Sequence, residues 1–247
     1  MQKKRFHILW IIPTIILITF LVLDFVNHDT IYSMFFGGRD GVGLVEQEID
    51  VAILVNWDNP LPPDYSPYLV PLKTYMGEDI ASYEENMMVH PLAGEALATM
   101  LTQANNDGVR GFIINSVYRP IDMQQQLWSA RLEKDPQYGS EPKSFPVKVL
   151  PGNMSEHPTG LAIDILSQNY DVADSGFANT DMGGWLAANA HCFGFVLRYP
   201  KDKENITGVI FEPWHFRYVG LDIAEYCYNN ELCLEEYYER VAAYGIP

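Results

Sequence analysis

Apolar positions along the chain fall into one long run and several short periodic stretches. The long run extends from about Phe6 to Val26, directly after Lys3, Lys4 and Arg5. Its 21 residues match the roughly 20 that a helix needs to span a bilayer. Asp24, its one acid, lies near the outer end, and Pro13 is tolerable in a membrane helix. The basic flank keeps the amino terminus cytoplasmic and places the chain beyond the run outside. A cleaved signal peptide would have a shorter apolar core and an A-x-A-like site. Val26-Asn27-His28-Asp29-Thr30 offers no such site. The reading is a cytoplasmic tail at 1–5, an uncleaved signal anchor at 6–26, a stalk at 27–50 with Gly37, Gly38, Gly41 and Gly43, and one extracellular domain at 51–247.

Within that domain the periods are shorter. Val51–Asn56 reads as a buried strand, and Pro60, Pro62, Pro63 and Pro67 then force an irregular connection. From His90 to Asn106, Leu92, Ala96, Leu97, Met100, Leu101 and Ala104 share one helical face, and Asn105-Asn106-Asp107-Gly108 ends it. Gly111–Ser116 predicts a strand and Met123–Lys134 a helix. The stretch 135–149, with Pro136, Gly139, Pro142 and Pro146, predicts a loop over a site entrance. Further expectations are a strand at Leu161–Ile165, a helix at Met182–Phe193, strands at Phe195–Tyr199 and Phe216–Val219, and closing helices at Leu221–Asn230 and Leu234–Tyr244. Helices come first and strands gather later, which suits an α+β domain with a small, mostly antiparallel sheet and flanking helices.

Charge narrows the function. Outside the span, 13 basic residues face 31 acidic ones with no basic stripe, so nucleic-acid binding is disfavoured. Three cysteines, Cys192, Cys227 and Cys233, make no disulfide framework. An external domain permits one bond, Cys227–Cys233 being the nearer pair, and buried reduced thiols are an equal alternative.

The candidate chemistry sits in two stretches, Ser155-Glu156-His157-Pro158-Thr159-Gly160-Leu161-Ala162-Ile163-Asp164 and Glu212-Pro213-Trp214-His215. A catalytic zinc keeps three protein ligands and one open position. His157, Asp164 and His215 can supply the three, and Glu212 remains free to move protons. His157 and Asp164 would point to opposite faces of a continuous strand, so a turn at Pro158–Gly160 must separate them. Pro213 places Glu212 and His215 on a loop leading into a strand. Taken singly, each of these residues has a blander explanation: a turn aspartate, a surface glutamate, a hydrogen-bonded histidine. Spacing alone makes the quartet only suggestive, and it lacks the helical H-E-x-x-H arrangement.

The wider pattern resembles the bacterial zinc D-alanyl-D-alanine carboxypeptidases of the membrane-anchored VanY type. The resemblance rests on Ser155-x-His157-x-x-Gly160-x-Ala162-x-Asp164, on Glu212-Pro213-Trp214-His215-Phe216-Arg217-Tyr218-Val219-Gly220, and on Ser116-Val117-Tyr118-Arg119 with Gln124. Gly194-Phe195, Arg198-Tyr199-Pro200 and Leu232–Tyr237 agree, and the similarity runs from about Ile53 to Tyr238. It implies the zinc-peptidase fold shared with hedgehog signalling domains. It further implies one zinc ion held by His157, Asp164 and His215, with Glu212 as general acid/base. Arg119 would face the scissile carbonyl or substrate carboxylate, and Gln124 and Ser155 would help bind the peptide terminus. Val117 stands where the family often has Gly, and Pro158 where Gln is common. The implied partner is a peptidoglycan stem peptide, and the implied role is removal of its terminal D-Ala at the bacterial cell membrane, with a link to vancomycin resistance. Rivals are an endopeptidase on the same scaffold and a zinc-stabilised wall-binding module without turnover.

Overall fold

The structure, a computed structural model, describes residues 51–76 and 81–245. The expected tail, anchor and stalk lie outside these residues. Among the described residues no helix is long and apolar enough to cross a membrane.

The domain begins with short strands β1 (Val70–Pro71), β2 (Ala81–Ser82) and β3 (Met88–Val89). Then come α1 (Pro91–Asn106), β4 (Phe112–Ser116), α2 (Ile121–Leu132) and β5 (Ala162–Ser167). The chain continues through α3 (Asp181–Asn189), β6 (Phe195–Leu197) and α4 (Glu204–Thr207). It closes with β7 (His215–Tyr218), α5 (Leu221–Asn229) and α6 (Leu234–Tyr244). The five-stranded sheet has the order β2-β4-β5-β7-β6, and all its pairs are antiparallel except β2 with β4. Strands β1 and β3 form a separate antiparallel pair. The domain is therefore mixed α+β, with helices and strands interleaved rather than segregated.

Central strand β5 is buried on both faces. One face carries Ile163 and Ile165, which join Ile114, Phe216 and the Leu97–Leu101 side of α1 in the main hydrophobic core. This face stabilises the fold in the ordinary way, by removing apolar surface from water. Alternation puts Ala162, Asp164, His215 and Arg217 on the opposite face. That face is polar, and it builds the site.

Two local expectations fail. Val51–Asn56 forms no strand. Its carbonyls are used instead by a buried guanidinium: Arg217 Nη2 donates to Val51 O at 3.0 Å and Ile53 O at 2.8 Å. The α3 helix ends at Asn189 and a 3-10 turn, Ala190–Phe193, replaces its last turn. His90, by contrast, has a clear job as the N-cap of α1, its Nδ1 accepting from Leu92 N at 3.3 Å. Cys227 and Cys233 are free buried thiols, and burial pushes both up to about 12.

Candidate active site

Sheet register lines up the site across three strands. Asp164 of β5 pairs with Ser116 of β4 on one side and with His215 of β7 on the other. Directly opposed residues on one sheet face stand about 4.5–5.5 Å apart at Cβ, so their side chains must meet. A register shift between Ile114 and Ser116 re-aims the end of β4, from which Val117, Tyr118 and Arg119 continue. His157 reaches the same place from a 3-10 turn, His157–Thr159. The turn closes at Gly160, where φ is +71°. A Cβ there would meet Leu69 Cδ2 at 2.4 Å and His90 N at 3.0 Å, so a residue without one is required.

One donor atom each from His157, Asp164 and His215 lies within 4.8 Å of the others, and all three residues are buried. His157 Nε2 is 3.4 Å from Asp164 Oδ2, and His215 Nδ1 is 2.8 Å from Asp164 Oδ1. Two imidazoles and a carboxylate are a fitting donor set for zinc, and ligand bonds of ~2.1 Å imply donor separations of roughly 3.4 Å in a tetrahedron. His157 Nδ1 lies 2.6 Å from Val117 O, a carbonyl that can only accept. The ring proton therefore sits on Nδ1 and the Nε2 lone pair faces the cluster. Glu212 stands at the same point, its Oε2 3.9 Å from His215 Nδ1.

Burial sets the electrostatics. It pushes the Glu212 carboxyl up to about 8, with Asp164 adding to the rise and His215 opposing it. Burial also works against charge on His215, but the Asp164 and Glu156 carboxylates outweigh it and raise the imidazole to about 9. Desolvation would raise Asp164 too, yet the two histidines hold it well below the usual carboxylate range. His157 is lowered, first by burial and then by Arg119. A cation at the cluster would favour ionised Glu212 and strip the protons from the ligating nitrogens.

Arg119 lies in the field of Asp164 and Glu212, and burial lowers its pKa. Its amide donates to His157 O at 3.2 Å. Its Nη2 donates to Ser116 Oγ at 2.8 Å and its Nη1 to Gln124 Oε1. Gln124 is buried, and its amide donates to Leu150 O at 2.8 Å. Gln124 thus braces Arg119 with its oxygen and is itself anchored to Leu150 by its amide. Ser155, also buried, receives the His157 amide at 3.4 Å.

The motifs contain a layer behind the cluster to which their spacing assigns no role. Glu156, Arg198 and Arg217 have no exposed surface. Burial alone would raise the Glu156 carboxyl, but Arg198 and Arg217 hold it far below the usual range. Lys148, from the 135–149 loop, sits 4.8 Å over the ring of Trp214. A sequence signal for the hidden pair existed: Arg198 and Arg217 each sit in or beside an otherwise apolar and aromatic strand, where an unpaired charge is costly.

Known proteins resemble this chain over most of its length. Residues 86–221 match the VanY family, D-alanyl-D-alanine carboxypeptidase. The carboxypeptidase-like YodJ of Bacillus subtilis is 35% identical over 208 residues, covering 82% of this chain and 72% of YodJ. Among solved structures, the LD-carboxypeptidase LdcB superposes with a TM-score of 0.68 at 33% identity, covering 82% of this chain and 92% of that one. A vancomycin resistance D,D-pentapeptidase VanY from a VanB-type cassette, solved in complex with Zn(II), gives 0.60 at 32% identity over 76% and 98% of the two chains.

Proposed function

Because this chain belongs to the VanY family of zinc D-alanyl-D-alanine carboxypeptidases, we propose that it removes the C-terminal D-Ala from peptidoglycan precursor stem peptides. The observation that carries the proposal is the buried convergence of His157, Asp164 and His215 with the Glu212 carboxylate beside them. In this reading the three residues hold one zinc ion. Bound there, zinc supplies Lewis acidity, making a water acidic and polarising the scissile carbonyl.

The chain's own groups do the rest. Glu212 accepts a proton from the attacking water and returns it to the departing amine, the double duty of a general acid/base. Arg119, held by Ser116 and Gln124, presents its guanidinium to the developing oxyanion or to the substrate carboxylate. Gln124 contributes to substrate binding through Arg119, and Ser155 by shaping the turn that presents His157. The protein acts outside the cell, anchored by 6–26 as a single-pass membrane helix with 27–50 as its stalk. A contribution to glycopeptide resistance belongs to the same proposal.

A second reading is favoured by the likeness to LdcB: cleavage of the L,D bond that ends a tetrapeptide stem. One assay separates the two. Full-length protein in detergent is given a pentapeptide ending in D-Ala-D-Ala, or the tetrapeptide, with and without chelator, and products are read by mass spectrometry. Loss of one residue from the pentapeptide alone, abolished by chelator, supports the D,D reading. Cleavage of the tetrapeptide alone supports the L,D reading, and turnover of neither by zinc-loaded protein removes both.

A further inference from the structure

Behind the metal cluster, on the same sheet face, a set of charges is sealed from solvent. Arg198 Nε donates to Glu156 Oε1 at 2.7 Å, and Arg217 Nη1 lies 2.9 Å from that oxygen. The other nitrogens of Arg198 form a fork to Glu235, at 2.8 and 2.7 Å, and Asn56 Nδ2 adds a bond to Glu235 Oε1 at 3.0 Å. Two guanidinium groups thus balance two carboxylates, the arrangement a buried charge needs.

One oxygen stands apart. Glu156 Oε2 is buried without a hydrogen-bond partner. At 3.8 Å from it lies Nε2 of His215, also buried and also without one. A carboxylate serving only to neutralise Arg198 and Arg217 has no reason to aim a bare oxygen at an imidazole, because an unmet buried acceptor is destabilising. The other nitrogen of the same ring, Nδ1, faces Asp164 at 2.8 Å. For that nitrogen to give its lone pair to a cation, the ring proton must sit on Nε2. His157 shows the mirror arrangement: Nδ1 is tied to Val117 O and Nε2 faces the cluster. The two rings therefore present opposite nitrogens, each backed by an acceptor of its own.

We propose that Glu156 is a positioning residue of the metal site: its free oxygen, facing His215 Nε2, is the acceptor for the proton that stays on that nitrogen and so keeps the ring with Nδ1 turned to the cation, while Arg198 and Arg217 fix the carboxylate. The proposal rests on the reading of His157, Asp164 and His215 as zinc ligands. Such backing groups are commonly worth 10–100-fold in metal affinity.

The test measures zinc dissociation constants by chelator competition on the full-length protein in detergent, together with the unfolding midpoint of the stripped form. Glu156→Gln should bind zinc about 10–100-fold more weakly. Glu235→Gln loosens the same ion network on the side away from His215, so it should lower the unfolding midpoint and leave zinc affinity near wild type. Long-range ¹⁵N–¹H NMR of the zinc-loaded wild type should show His215 protonated at Nε2, and this readout holds even when a variant fails to fold. Unchanged affinity in Glu156→Gln, an equal loss of affinity in Glu235→Gln, or an Nδ1-protonated His215 would overturn the proposal. A wild type that binds no zinc would sink the metal reading itself, and the proposal with it.

Discussion

Glu212 is the residue whose environment most clearly separates chemistry from structure. Its carboxylate is buried beside the metal-binding candidates, 3.9 Å from His215 Nδ1, and burial lifts it to about 8. Glu212→Gln should keep zinc and lose about 10²–10⁴-fold in kcat, the usual span of a lost general acid/base. Elemental analysis and turnover on one sample check this, and a variant that works at full rate would exclude the role. The titration has a second consequence. Glu212, raised from 4.5 to about 8, favours folding below 4.5 and loses that contribution as pH climbs through 8. His215, raised from 6.5 to about 9, behaves the same way over a slightly higher window. Stripped protein should therefore lose stability from these groups between about pH 5 and 9. Zinc binding releases protons from its ligands, so its stabilisation grows over the same range. The gap between loaded and stripped unfolding midpoints should widen from pH 5.5 to 8.5 in a dye-monitored melt. A narrowing gap would contradict the assignment of these groups to the metal.

Elements explain what the sequence could and could not disclose. Helix α1 was legible because its apolar residues hold one face for sixteen residues, and an Asn-Asn-Asp-Gly stop follows them. Strands β1, β2 and β3 were not, because two-residue strands carry no period. Val51–Asn56 has the composition of a strand, but a side chain 166 positions away, Arg217, takes the Val51 carbonyl. The turn before β5 was legible from the spacing of His157 and Asp164, and Gly160 is the residue on which it depends. Its left-handed backbone costs a side-chain-bearing residue about 1–3 kcal/mol, before the clash with Leu69 is counted. Because Gly160 N donates to His157 O, relief of that clash must shift His157 as well. Gly160→Ala should thus lower both the unfolding midpoint and zinc affinity. Loss of stability with zinc affinity intact would mean that the turn does not hold His157.

At the scale of the whole molecule, the chain carries a net charge of −16 while its most enclosed charges balance. The motif stretches disclosed the metal-binding candidates, which lie on β5, β7 and the turn before β5. They did not disclose how the carboxyl-terminal helices are tied to the site, since a buried Arg–Glu contact between distant segments leaves no periodic trace. The tie is Glu235, in the first turn of α6, which grips Arg198 beside β6, and Arg198 grips Glu156 behind His215. Removing one member of a buried pair leaves the other charge uncompensated and is destabilising by about 3–5 kcal/mol, far more than an exposed pair contributes. Lys143 with Asp58 supplies the exposed comparison, at 3.1 Å and with both side chains more than half accessible. In urea unfolding of zinc-free protein, Glu235→Ala should lower stability by about 3–5 kcal/mol and Lys143→Ala by less than about 1 kcal/mol. Equal effects would mean that the domain does not depend on this inner chain of charges, and that α6 is held by its apolar contacts around Leu234 and Tyr237 alone.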